Sequence, residues 1–285
     1  MAVQVGGQAV IDGVMMRCKD KVAVALSNPD GTIQVHHLPF QSWTQKWKLF
    51  RQPVIRGSFV LFETMILGMK ALTLSAEKSG EGEEEQLSKW SIVTTVIISI
   101  LLGIGLFIVL PLVLTEFVYN GDGVLFNVID GVFRVMMIVG YIAAISLMSD
   151  MQSVFRYHGA EHKAVHCYEA KKELTVENVK TFPVEHPRCG TTFVFLVLVV
   201  SIIMFSVITN PSWFIKFGSR LLLLPVVAGI SFELIKLAGT YSKNKVMLAI
   251  IYPGLLFQRL TTRTPGDREI EVAIKALEAV VDDAE

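Results

Sequence analysis

The segment Tyr157–Ala170, YHGAEHKAVHCYEA, holds three of the chain's six histidines. His158, His162 and His166 recur at i, i+4 and i+8, so on a helix they fall within an arc of about 80°. Two histidines one turn apart project to the same side and can chelate a single metal ion. Glu161 stands between them, where a carboxylate can act as general base on a metal-bound water. Glu169 falls inside the histidine arc. His158-x-x-Glu161-His162 also spells H-x-x-E-H, the inverted zincin string. Inverted zincins add a glutamate well downstream. Glu233 lies at such a remove, within an apolar segment, and Glu169 is the nearer alternative. A carboxylate in an apolar segment is a functional candidate by default; a pairing of Glu233 with Lys236 or Lys243 is the plainer reading.

A second constellation is Glu185-His186-Pro187-Arg188-Cys189-Gly190. His186-x-x-Cys189 is a compact two-ligand hook, although its Pro and Gly also suit a turn into the next helix. Arg188 is a cation for developing negative charge. Histidine with cysteine favours zinc, or another transition metal such as iron, over magnesium. Both constellations lie in one loop, Asp150–Gly190. Their convergence predicts a metal site built from His158, His162, His166, Glu169, His186, Cys189 and Glu233 in some combination, with Glu161 and Arg188 as catalytic groups.

The elements that must position these residues are mostly apolar. Of 285 residues, 52% are hydrophobic and 18% charged, and mean hydropathy is +0.51. That balance points to a membrane. Net charge is zero, so the overall balance carries no nucleic-acid footprint. Three cysteines, Cys18, Cys167 and Cys189, are too few for a disulfide framework and suggest reduced thiols. Met1–Val14 does not have the pattern of a signal peptide.

Residues 1–40 read as a small cytosolic β unit. Its strands are expected at Val10–Met16, Lys21–Ser27 and Thr32–His37, with Asn28-Pro29-Asp30-Gly31 as a turn. Gly6-Gly7 fits a tight turn better than a phosphate loop, because no helix follows. His36 and His37 are expected to be solvated. Residues 41–90 read as an interfacial helical segment and an acidic linker, Glu77–Glu85. Trp43, Lys46, Trp47, Lys48, Arg51 and Arg56 suit a membrane surface. Ser58–Ala76, with Glu63 and Lys70, either spans or lies at the interface.

Residues 91–240 contain four expected spans: Ser91–Leu114, Gly123–Met148, Thr191–Ile208 and Leu221–Ala238. Each suits roughly 30 Å of hydrocarbon. Asp130 and Arg134, one turn apart in the second span, would neutralise each other or line a polar path. Lys and Arg concentrate in Asp150–Gly190 and in the tail, so positive-inside places those parts and the N-terminus in the cytosol. Residues 241–285 read as a re-entrant or surface hairpin over Val246–Phe257, broken at Pro253-Gly254, then an amphipathic helix with Ile270, Val272, Ile274, Leu277 and Val281.

The chain resembles the YqhQ-like family of bacterial and chloroplast membrane proteins. The strings that carry the resemblance are GGQAVIDGVMMR (6–17), FRYHGAEHKAVHCYE (155–169), HPRCGTTF (186–193), FELIKLAG (232–239) and PGLLFQRLTTRTP (253–265). The family pattern has Glu where this chain has Asp12, which keeps the charge. The resemblance implies a metal-dependent membrane enzyme of unknown reaction, with His158, Glu161, His162, His166, His186, Cys189 and Glu233 at the matching positions.

Together these readings predict a mainly α, polytopic protein of the cell membrane with both termini cytosolic. It would have about four transmembrane helices, a small N-terminal β unit, an interfacial helix and a cytosolic C-terminal helix. The leading expectation is a zinc-dependent hydrolase opening at the cytosolic face, acting on a peptide or a membrane protein. The rival is a non-catalytic adaptor or assembly factor whose metal closes His158 or His162 with His186 and Cys189. A transporter using Asp130 and Arg134 is a third reading.

Overall fold

A computed structural model describes residues 5–43, 47–78, 89–208, 212–241 and 244–281. The acidic linker lies outside the described residues from position 79 onward, as do Lys46 and Lys243. Strands β1 (Val5–Val10), β2 (Gly13–Cys18), β3 (Lys21–Ser27) and β4 (Ile33–His37) form an antiparallel sheet in chain order. The expected single strand Val10–Met16 is instead the end of β1, a two-residue turn and the start of β2. Asp12, at φ +50°, makes that turn, and Asp-Gly is a strong hairpin signal. The Asn28–Gly31 turn forms as expected, with Gly31 at φ +84° and the Asp30 carboxylate accepting the Thr32 N–H at 2.8 Å.

Both faces of the sheet are covered. Strand alternation sends Val14, Met16, Cys18, Ala23 and Ala25 to one face. Val10, Met15, Val22, Val24 and Leu26 go to the other. The helices follow in chain order: α1 (Ile55–Lys78), α2 (Lys89–Ile104), α3 (Leu110–Val118), α4 (Val124–Ile145), α5 (Ser149–Glu169), α6 (Val176–Lys180), α7 (Gly190–Ser206), α8 (Trp213–Leu222), α9 (Leu224–Thr240), α10 (Lys245–Thr261) and α11 (Asp267–Val281). A π-helical turn, Gly105–Val109, joins α2 to α3. The first sheet face packs on Ala160 and Ala164 of α5 and on Ile270, Ala273 and Leu277 of α11. The second packs on Leu67 and Ala71 of α1. A buried Val, Leu or Ile contributes about 1.5–3 kcal/mol, so these layers fix the sheet against α5.

Helix α1 links this body to the apolar helices. Near its start, Gly57 lies against Gly229 and Phe232 of α9. Toward its end, the Ser75 hydroxyl donates to the Ile11 carbonyl. Buried Glu63 is satisfied by the Ser42 hydroxyl at 2.9 Å and by the Trp43 N–H.

Among the described residues, three helices are long and apolar enough to cross a membrane: Ile55–Lys78, Val93–Val118 and Val124–Ile145. Helices α8 and α9, bent by 46°, qualify together as a fourth. The expected span Leu221–Ala238 thus contains that bend. Gly190–Ser206 is apolar and shorter, at 17 residues. Large side chains such as Leu101, Leu102, Phe117, Ile203 and Leu222 are exposed on these helices. Asp130 binds Arg134 at 2.9 Å and also Arg220 of α8 at 3.0 Å, tying α4 to α8.

The expected hairpin over Val246–Phe257 is a single helix, with Pro253 inside it. Packing along α7 keeps it continuous. A Cβ on Gly254 would lie 2.8 Å from Thr192, so α10 approaches α7 closely at the proline. Tertiary contact overrides local propensity there.

Candidate metal centre

Helix α5 carries YHGAEHKAVHCYE, and three connections aim its side chains. The first is at Gly159. A Cβ there would lie 2.1 Å from the Arg263 carbonyl oxygen, so only glycine lets the chain after α10 cross α5 so closely. Arg263 N–H donates to the Phe155 carbonyl at 2.9 Å. This crossing brings the Thr261 carbonyl within 2.9 Å of His158 Nδ1. The second is the loop after α6, where the Val184 carbonyl meets His162 Nδ1. A carbonyl only accepts, so both Nδ1 atoms carry protons and both Nε2 atoms face inward as ligand atoms. Metal-bound histidines are oriented in this way by an outer acceptor.

The third connection is the entry to α7. Cys189 caps that helix, its Sγ accepting the Thr191 N–H at 3.4 Å. Its Sγ also lies 3.3 Å from His158 Nε2. Ligand atoms of His158, His162 and Cys189 all lie within 4.8 Å of one another. Donors around a tetrahedral zinc stand roughly 3.3–3.8 Å apart, given Zn–N and Zn–S lengths near 2.0 and 2.3 Å. The trio therefore fits a zinc ion after small adjustments.

Glu161 is buried beside the trio, with Oε2 3.7 Å from His162 Nε2. The Gly7 N–H donates to its carboxylate. A Cβ on Gly7 would lie 2.6 Å from the Met15 carbonyl and 2.8 Å from Glu161 Cγ. Gly7 is therefore part of a strand, and its missing side chain lets β1 close over Glu161. A cavity of about 90 Å³ is bounded by Gly6, Gly7, His158, Glu161, His162 and Cys189.

His166, Glu169 and His186 form a neighbouring group, also within 4.8 Å. The four imidazoles make a row, with centroid distances of 4.4 Å (His158–His162), 5.6 Å (His162–His186) and 4.5 Å (His186–His166). This second group is largely engaged. His166 Nε2 donates to the Glu185 carbonyl at 2.9 Å. Arg188 binds the Glu169 carboxylate. His186 Nδ1 accepts the Arg188 N–H at 3.3 Å. His186 Nε2 is buried without a hydrogen-bond partner among the described residues, with Glu169 Oε2 at 3.5 Å.

The electrostatics separate the two groups. Burial disfavours the Cys189 thiolate, but His158 and His162 outweigh it and hold the thiol well below its ordinary value. Burial also disfavours His158⁺; the Cys189 charge and hydrogen bond, with Glu161 and Thr261, push that imidazole up to about 9. The two shifts share one cause, the contact between His158 Nε2 and Cys189 Sγ, which favours the charged form of each. Burial raises the Glu161 carboxyl against the opposing pull of His162 and His158. Burial takes His186 down to about 4 despite Glu169, aided by His166, His162 and Arg188.

Glu233 does not join either group. It accepts from Arg56 Nε at 2.7 Å and pairs with the same guanidinium through Nη2. Several supporting residues were not singled out by type or spacing: Thr261, Thr191 and Gln258. Fully buried Gln258 brackets His186, accepting its N–H at 2.8 Å and donating to its carbonyl at 2.7 Å and to Thr192 Oγ1 at 2.6 Å. A glutamine within an apolar run was the available signal. Gly239 of α9 accommodates the Arg188 stem, since a Cβ there would lie 2.6 Å from Arg188 Cδ.

A sheet-capped set of apolar helices with a His/Cys/Glu centre defines the class of protein. The chain belongs to the family described as protein of unknown function DUF1385, whose model matches residues 52–283. It is also 33% identical over 291 residues to the uncharacterized protein YqhQ of Bacillus subtilis (strain 168), covering 95% of this chain and 90% of that one. No solved structure matches.

Proposed function

We propose that this chain is a polytopic membrane protein with a zinc-dependent hydrolase centre opening at the cytosolic face. The observation that carries the proposal is the paired Nδ1 anchoring of His158 and His162 to the Thr261 and Val184 carbonyls, which turns both Nε2 atoms toward Cys189. Three protein ligands with a cavity beside them suit a catalytic ion, which keeps one position open. The rival adaptor reading needs His186 to close the site, and His186 instead groups with His166 and Glu169.

His158, His162 and Cys189 would hold the zinc ion, which would supply Lewis acidity and make a water easier to deprotonate. Glu161 Oε2, beside His162 Nε2, is the group that would accept a proton from the nucleophile and return it to the leaving group. The Gly7 N–H fixes that carboxylate, and its raised pKa suits both directions of transfer. Arg188, on the cavity wall, is the cation for developing negative charge. Edge strand β1 contributes Gly6 and Gly7 to the same cavity. A strand edge can align an extended peptide, which favours a peptide or membrane-protein substrate.

The membrane topology rests on the packing of the sheet, α5 and α11 into one body, together with the positive-inside distribution. Both support our assignment of the N-terminus, the 150–190 segment and the C-terminus to the cytosolic side. The cover of the sheet over Leu67 and Ala71 supports an interfacial position for the end of α1. The test is a peptide-library digest by the full chain in detergent, with zinc added. Glu161→Gln is expected to keep zinc and lose cleavage by at least a hundredfold, within the usual range for a removed general base of about 10²–10⁴. Undiminished cleavage by that variant contradicts the proposed role.

A further inference from the structure

A second cavity, of about 310 Å³, lies among the apolar helices, away from the metal centre. Gly103, Phe107 and Val197 line its apolar walls, and Arg134, Ser201 and Arg220 are its polar lining. The volume is at the lower end for ligand sites, about 300–1,000 Å³. The walls come from α2, the π turn, α4, α7, α8 and α9. π-Helical turns recur at functional sites because they expose backbone irregularity.

The two guanidinium groups of this cavity are unequally satisfied. Arg134 and Arg220 share the single carboxylate of Asp130, through the same Oδ2. Lys216, nearby on α8, is offset separately by Asp122 at 2.9 Å and Glu116 at 3.7 Å. Arg220 is saturated: besides Asp130 it binds the Lys216 carbonyl at 2.8 Å and Asn127 Oδ1 at 2.9 Å. Arg134 is not. It is 8% exposed, and its Nε has no hydrogen-bond partner among the described residues. Its Nη1 reaches Ser201 Oγ only at 3.5 Å. Both guanidinium groups lie over Phe205, at 5.5 Å and 5.1 Å from the ring centroid. A buried guanidinium left incompletely paired among apolar helices is costly unless an acceptor meets it.

We propose that this cavity binds one single-chain fatty acid, its carboxylate on Arg134 and Ser201 and its chain along Gly103, Phe107 and Val197. A single carboxylate matches the one guanidinium of the cavity that is left incompletely paired, Arg134. A phosphate monoester brings about −1.5 to −2, and a two-chain lipid exceeds the volume. The inference is independent of the metal centre.

The test uses the full chain in phosphatidylcholine nanodiscs, with empty nanodiscs subtracted. The probes are radiolabelled dodecanoate, dodecyl phosphate and dodecanol. Dodecanoate is expected to bind one per chain, at least tenfold tighter than either other probe. A Cβ on Gly103 would meet nothing within 4 Å among the described residues. Gly103→Phe should therefore fill the cavity, leave Asp130, Arg134 and Arg220 in place, keep the unfolding temperature and abolish dodecanoate binding. Arg134→Gln should remove the preference for dodecanoate over dodecanol. Equal binding of dodecanoate and dodecanol by the wild type, tighter binding of dodecyl phosphate, or unchanged binding by a folded Gly103→Phe would each overturn the proposal.

Discussion

At the scale of residues, the centre depends on where protons sit. Thr261 and Val184 fix Nδ1–H on His158 and His162, so any exchangeable proton on His158 is at Nε2, facing Cys189. That imidazole is held up to about 9, while the Cys189 thiol is held well below its ordinary value. Zinc must displace the Nε2 proton. Uptake therefore releases a proton, and apparent affinity falls as pH falls below about 9, by roughly tenfold per unit for each proton displaced. Isothermal titration at pH 8 and pH 6.5, in buffers of different ionisation enthalpy, measures both effects. Affinity that rises toward low pH would contradict the ligand set. The clustered histidines, Cys189 and Glu161 were legible because imidazole, thiolate and carboxylate carry their chemistry in their type and spacing. Their anchors were not, because every residue has a carbonyl and only the fold chooses which one reaches a histidine. Glu233 shows the converse: its separation from His162 suited a ligand, and Arg56 took it.

Between elements, close approach decides the geometry. Gly159→Ala would put a Cβ 2.1 Å from the Arg263 carbonyl, forcing α5 from the chain that carries Thr261. Such overpacking costs about 1–3 kcal/mol. The variant should unfold at lower temperature and bind zinc more weakly than wild type; unchanged values for both would show that the crossing is not what orients His158. Gln258→Leu removes the bracket on His186 and leaves buried N–H, C=O and hydroxyl groups unpaired, at about 1–3 kcal/mol each. Thermal melts should place it well below Gln258→Glu, which retains the acceptor for the His186 N–H. The N-terminal β unit and the amphipathic character of α11 were legible from alternation and periodicity. The β1–β2 turn, Ile11-Asp12, was hidden because apolar residues flank it closely on both sides. Pro253-Gly254 suggested a break, and contact with Thr192 of α7 holds the helix through it.

Across the whole molecule, two parts of different physical character meet. A sheet covered on both faces is fixed to α5 and α11, and a set of apolar helices exposes large side chains outward. Segments far apart in sequence assemble the centre: β1 supplies Gly7, α5 the histidines, the α7 entry Cys189 and the end of α10 Thr261. Composition made the apolar helices legible; this convergence was not, because it depends on long-range packing. With the topology proposed above, cysteines introduced at Tyr119 and at Lys275 should react oppositely with a membrane-impermeant maleimide on intact cells. Position 119 should label and position 275 should not; the reverse pattern would invert the orientation. The most direct test of the metal centre is elemental analysis of the full chain purified in detergent without chelator, beside His158→Ala and Cys189→Ala. The wild type is expected to carry about one zinc per chain and both variants far less, and a folded wild type without stoichiometric transition metal would contradict the account.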